Sequence, residues 1–175
     1  MINWKLLYDK FGRLNAAKKF EDLALDYVCD VYNEYTWKPT QRTRDGNRDF
    51  HNLEEDLLKI WGEAKYKKDS ISLTRKDLDP TILSGLIDGH VELIIFVTNG
   101  KIPEELISSM TLGANMKGIK LSFVTGKQLS DWLVLNPEKY ITLLQETRLS
   151  HHLDLYVFEE VCKTLRRWER DDIPM

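Results

Sequence analysis

The chain has 175 residues, of which 42% are hydrophobic and 30% charged, and its formal net charge is −3. That is the composition of a soluble globular protein long enough for one domain with a sizeable core. It excludes a membrane span, because no apolar run approaches the ~20 residues a span needs. The mildly acidic balance also argues against a general nucleic-acid coat protein.

The opening residues lack the charged-then-apolar pattern of an export signal. Cys29 and Cys162 both fall in helical patterns with no metal-like spacing. They are expected to be buried free thiols in a reducing compartment, which places the protein in the cytoplasm.

In chain order, residues 1–12 predict a first helical turn or two, ended at Gly12. From Leu14 to Tyr32 the period is helical: Phe20, Leu23, Ala24, Tyr27, Val28, Val31 and Tyr32 recur at spacings of three and four. Asn15 is a candidate cap. Glu21 shares its side of this helix with Ala17, Ala24, Leu25 and Val28. Such an acid either borders the apolar stripe and reaches water, or points at something cationic. Residues 34–44, rich in Thr, Tyr and Trp and broken by Pro39, predict an edge strand or an irregular strand.

Asp45-Gly46-Asn47 is a turn signal, since Gly and Asn tolerate positive φ. Arg48–Leu53 predicts a strand returning from it, Glu54-Glu55-Asp56 a polar turn, and Leu57–Tyr66 the next strand. In that strand Leu58, Ile60, Gly62, Ala64 and Tyr66 fall on one face, with Trp61, Glu63 and Lys65 on the other. Three strands joined by short turns make an antiparallel meander.

Thr74 to His90 predicts a helix, with Thr74 and Asp77 matching a capping box and Pro80 early. Val91–Thr98 is a nearly unbroken apolar strand, the mark of one covered on both faces. Asn99-Gly100 turns the chain. A helix follows from Pro103 to Lys117, stopped by Gly118, then a strand over Ile119–Thr125 and a helix from Gly126 to about Leu133. Strand, helix, strand, helix implies a parallel pair with a crossover. The expectation is an α/β fold, a mixed sheet of three antiparallel strands plus a parallel pair, flanked by helices on both faces. Beyond Asn136-Pro137, helices are expected over 138–146 and 154–170. The domain reading is a core over 1–134 and a helical extension over 135–175 serving packing, self-association or a link to a further domain.

Charge is uneven. Between Lys38 and Lys76 ten Lys/Arg stand against seven Asp/Glu, a local +3. A phosphate-binding patch and a solvated charged face both explain that count. Lys38, Arg42, Arg44, Arg48, Lys67 and Lys68 are the candidates for phosphate contact.

The chemistry concentrates at the centre. Phosphodiester hydrolysis needs a cation, an activated water and charge stabilisation at the leaving oxygen. Mg²⁺ suits this and binds through one or two carboxylates plus waters and substrate oxygens. Asp49 and Glu63 lie on adjacent predicted strands and share a face if their pleats align. Lys65, two residues from Glu63, points to the same side, where it would hold the attacking water or offset developing charge. The Ala64 carbonyl is a further ligand candidate, and Glu21 would reach the same cluster if its helix packs on this sheet. The plain alternative is that Asp45-Gly46 is only a turn and that Glu63 and Lys65 are the exposed face of an amphipathic strand.

These pieces resemble the Mrr-like branch of the PD-(D/E)XK restriction-endonuclease fold. The resemblance rests on Phe20-Glu21-Asp22-Leu23-Ala24, Asp45-Gly46-Asn47-Arg48-Asp49-Phe50, Gly62-Glu63-Ala64-Lys65-Tyr66, Phe96-Val97-Thr98-Asn99-Gly100 and Gly118-Ile119-Lys120-Leu121 through Leu129. They stand in the family's order over about residues 12–134. It implies that Glu21, Asp49 and Glu63 bind the divalent metal and that Lys65 is catalytic. Many Mrr-like members have Gln where this chain has Glu63, and Asn47 replaces the second Gly of the usual turn. The implied function is a Mg²⁺-dependent endodeoxyribonuclease, with Mn²⁺ substituting, serving restriction or anti-phage defence. Its implied partners are double-stranded DNA, further copies of the chain and a fused sensor or NTPase domain, with no membrane. The competing expectation is a DNA-binding or assembly module that keeps the fold without cutting.

Overall fold

A computed structural model describes residues 4–40, 48–52, 59–136 and 138–139. The chain divides into two compact units, residues 1–129 and 130–175.

The first unit opens with α1 (Lys5–Val31), which is helical throughout except at Gly12, where φ 69° and ψ 174° break the run. Only glycine adopts that backbone without strain, so the predicted stop at Gly12 is a kink between two helical segments. Asn15 lies inside the helix and not at a cap. Phe20, Leu23, Ala24, Tyr27 and Val28 form the buried stripe. Two expectations for this helix are corrected. Val31 is 48% exposed: its spacing keeps it in line with the stripe, but it is the last residue of the helix. Cys29 is exposed, because one step beyond Val28 is about 100° around the helix from the buried face.

The strands follow: β1 (Trp37–Pro39), β2 (Phe50–Asn52), β3 (Ile60–Lys65), β4 (Leu93–Thr98) and β5 (Lys120–Val124), in spatial order β1-β2-β3-β4-β5. β1 pairs antiparallel with β2, and β2 with β3. β1 is an edge strand, where the missing amide of Pro39 costs least. The parallel part is wider than the sequence suggested. β3 pairs parallel with β4, and β4 with β5, because α2 (Arg75–Asp88) is itself a crossover between β3 and β4.

α2 begins as its sequence predicts: the Asp77 carboxylate accepts the Thr74 amide (2.8 Å) and hydroxyl (2.9 Å). Pro80 lies within the helix, beyond its first turn. α3 (Glu104–Asn115) starts after Pro103, and a positive-φ Gly118 follows its end. The main core joins Trp61, Ile94, Phe96 and Ile119 to Leu78 and Ile82 of α2 and Met110 and Ala114 of α3. α1 packs against β3 and β1.

α4 (Gly126–Leu135) begins in the first unit. There the Gln128 side chain accepts the Thr125 amide (2.8 Å) and hydroxyl (2.9 Å). In the second unit its last turn closes with both the backbone and side-chain amides of Asn136 donating to the Trp132 carbonyl. The turns expected at 45–47 and 54–56, and nearly all of the two C-terminal helices, lie outside the described residues. No described helix is long and apolar enough to cross a membrane.

Candidate functional site

The site is built on the last four residues of β3. Phe50 pairs with Gly62, and its ring occupies the space a side chain there would take: a Cβ would stand 1.6 Å from a ring carbon. Glycine at 62 therefore lets β2 and β3 approach closely. Asp49, one step before Phe50, is fastened to β3 twice. Its amide donates to the Gly62 carbonyl (2.8 Å), and its Oδ2 accepts the Ala64 amide (2.8 Å). The two bonds bracket Glu63.

Glu63 is 5% exposed. Its Oε1 accepts the Lys65 ammonium in an ion pair. Its Oε2 is buried without a hydrogen-bond partner. Burial first, then the negative charge of Asp49, pushes the Glu63 carboxyl from its ordinary 4.5 up to about 8. Glu21 of α1 adds to that rise, and Lys65 opposes it. Glu21, Asp49 and Lys65 thus all act electrostatically on Glu63, although they come from α1, the approach to β2, and β3. A buried carboxylate under two more negative charges, with one oxygen unsatisfied, costs stability in the apo protein and gains from a cation.

Among the described residues, no group of three or more His, Cys, Asp and Glu side chains is arranged to hold a metal ion. Zinc and calcium seats draw three or more protein ligands, whereas Mg²⁺ keeps several waters and takes one or two carboxylates. The donor set here, the orphaned Glu63 oxygen beside Asp49, fits the latter. Ala64, between Glu63 and Lys65, gives its amide to Asp49. Its carbonyl remains the further ligand candidate.

The predicted phosphate contacts fare differently. The Arg48 guanidinium lies 4.6 Å above the Trp61 ring, with its Nε buried and unpartnered. Lys67 is paired with Asp77 at 2.5 Å, which draws its charge away from a ligand. Lys68 is exposed and sits 4.2 Å over the Tyr8 ring. Lys38 is exposed on β1. Arg42 and Arg44 lie outside the described residues.

Around the exit of β3 stand residues that the sequence placed in the resemblance but gave no role of their own. The Tyr66 hydroxyl donates to the Trp4 carbonyl (2.6 Å), and burial pushes that phenol up to about 12. Thr98 and Asn99, both buried, bond the backbone of Lys65 and Lys67. A Thr-Asn pair closing an otherwise apolar strand was the available signal. No protein-family model matches this sequence, and no curated protein matches it.

Proposed function

We propose that the chain is a Mg²⁺-dependent endodeoxyribonuclease of the Mrr-like, restriction-endonuclease kind, with helices covering both faces of its sheet. The observation that carries this reading is Glu63: a buried carboxylate with one oxygen on Lys65, the other unpartnered, and two further acids acting on it. A structural ion pair needs only one acid and one base. Here three acids face one base, and a bound cation would favour the ionised form of all three.

In this reading Asp49 and Glu63 hold the metal together with the Ala64 carbonyl, and Glu21 contributes negative charge from α1. When bound, Mg²⁺ supplies Lewis-acid polarisation of the phosphoryl group. Lys65, held on the face of β3 that carries Glu63, positions the attacking water and offsets charge developing on phosphorus. Two features support the placement. The cluster stands at the carboxyl end of a parallel strand, where ligands of α/β sheets collect. Lys65 is also turned toward the acids, and the opposite disposition would have favoured a non-cleaving binding module.

Arg48 and Lys68 are the described cations offered to the DNA backbone, and Arg42 and Arg44 complete that proposal from outside the described residues. Double-strand breakage would need two such sites, hence a dimer or larger assembly, and restriction or anti-phage defence is the proposed setting. The test is plasmid nicking with Mg²⁺, Mn²⁺ or EDTA by the wild type, Glu63→Ala and Lys65→Ala. Metal-dependent cutting lost in both variants is expected. Cutting that survives both overturns the assignment.

A further inference from the structure

The paired register of β3 and β4 ends at Lys65 opposite Thr98. Beyond it β4 bends at Asn99-Gly100, so no backbone ladder holds β3 as it leaves the sheet. Side chains take over. The Thr98 hydroxyl donates to the Lys65 carbonyl (2.8 Å) and accepts the Gly100 amide (3.1 Å). The Asn99 carboxamide accepts the Lys67 amide and donates to the Lys67 carbonyl, both at 2.7 Å. Thr98 is fully buried and Asn99 is 3% exposed.

We propose that Thr98 and Asn99 are positioning residues for Lys65. Together they fix the carbonyl on one side of Tyr66 and the amide and carbonyl on the other. Those peptide planes set the direction in which the Lys65 side chain leaves the backbone. The Tyr66–Trp4 bond holds the intervening residue from the other side of the strand. The chemistry explains the residue types. A carboxamide alone offers a donor and an acceptor side by side, matching the backbone amide and carbonyl of one residue, Lys67. An aspartate at 99 would keep the acceptor and set a negative oxygen against the Lys67 carbonyl. A valine at 98 would fill the same space while leaving a buried carbonyl and amide unsatisfied.

The inference rests on the proposed role of Lys65, and its test separates the two. Single-turnover cutting of plasmid DNA with Mg²⁺ is measured for wild type, Lys65→Met, Thr98→Val, Thr98→Ser and Asn99→Asp. ¹⁵N NMR of the lysine ammonium groups is recorded on the same proteins, with the Lys65 signal assigned by its loss in Lys65→Met. The Lys65 ammonium is paired with Glu63, so its signal reports that placement. Thr98→Val and Asn99→Asp are expected to lower the saturating single-turnover rate constant on the order of 10- to 100-fold with the half-saturating protein concentration little changed, as for a catalytic group displaced by a fraction of an ångström. They should also shift or lose the Lys65 signal. Thr98→Ser, which keeps the hydroxyl, should retain both. Folded Thr98→Val and Asn99→Asp proteins that keep the wild-type rate and the Lys65 signal overturn the inference alone. If the wild type does not cut, the nuclease reading fails and the NMR comparison still decides the positioning role. Should Thr98→Val not fold, Asn99→Asp carries the same comparison, since it preserves volume and one hydrogen bond.

Discussion

Replacing Glu63 by Gln should stabilise the metal-free protein, and the effect should grow with pH. The carboxyl titrates at 4.5 when exposed and at about 8 in the fold. Between those values the folded state binds more protons than the unfolded one, so this group's contribution to stability falls as pH rises. It is fully present below pH 4.5 and is lost as pH rises through about 8. The gap corresponds to ~5 kcal/mol as a ceiling, at about 1.4 kcal/mol per pH unit. Gln keeps the shape and carries no charge, so Glu63→Gln removes this slope. With roughly 2–4 °C of Tm per kcal/mol for a chain of this size, that ceiling is about 10–20 °C; the variant should melt several degrees above wild type at pH 9 in EDTA, and close to wild type at pH 5. Added Mg²⁺ should close the gap at pH 8 by stabilising the wild type alone, since a cation that binds only the folded state adds ~2.7 kcal/mol at a hundred times its Kd. Melting curves by circular dichroism from pH 5 to 9 provide the assay. Parallel pH profiles for the two proteins, or a variant less stable than wild type at pH 9, would refute the reasoning.

Gly62→Ala should destabilise by at least about 1–3 kcal/mol, because the added methyl would overlap the Phe50 ring, and urea unfolding measures it. Phe50→Leu in the same chain should recover part of that loss. Tyr66→Phe should lower stability by ~1 kcal/mol through the lost bond to the Trp4 carbonyl, with hydrogen exchange rising in the segment before the Gly12 kink. Asp77→Ala should cost ~1 kcal/mol or more by removing the α2 cap and the Lys67 partner together. In the wild type the Lys67 and Thr74 contacts hold the Asp77 carboxyl below its ordinary 3.8 despite the opposing effect of burial. Its contribution is therefore present above pH 3.8 and lost as pH falls through the depressed value, which acid titration of the melting curve detects.

Elements with their own local signals were legible in the sequence. The apolar run of β4, the period of α1, the Thr74–Asp77 cap and the alternation of β3 each rest on near neighbours. The Thr125–Gln128 cap at the start of α4 has the same spacing and went unread, although the signal was present. The parallel pairing of β3 with β4 was less visible, because it depends on where the crossover helix returns the chain. At the candidate site, the shared face of Glu63 and Lys65 followed from strand period alone. The clamp of Asp49 on the Ala64 amide, the unsatisfied Glu63 oxygen and the Asn99 grip on Lys67 did not. The clamp and the grip join side chains to groups distant in sequence, and the Glu63 oxygen is left unsatisfied by what distant elements bury it, none of which the local pattern encodes. Cys29 shows the reverse error: a residue type usually buried lies exposed because it falls one step off the stripe.

The central claim is that the cluster of Asp49, Glu63 and Lys65 is a seat for a divalent cation. A crystal of the protein soaked in Mn²⁺, examined by anomalous scattering, tests it most directly. The account predicts a peak within coordination distance of the Glu63 Oε2 oxygen and of an Asp49 carboxylate oxygen, absent from Glu63→Gln crystals. Full soaking with no peak at Glu63, or a peak that persists unchanged in Glu63→Gln, would contradict it.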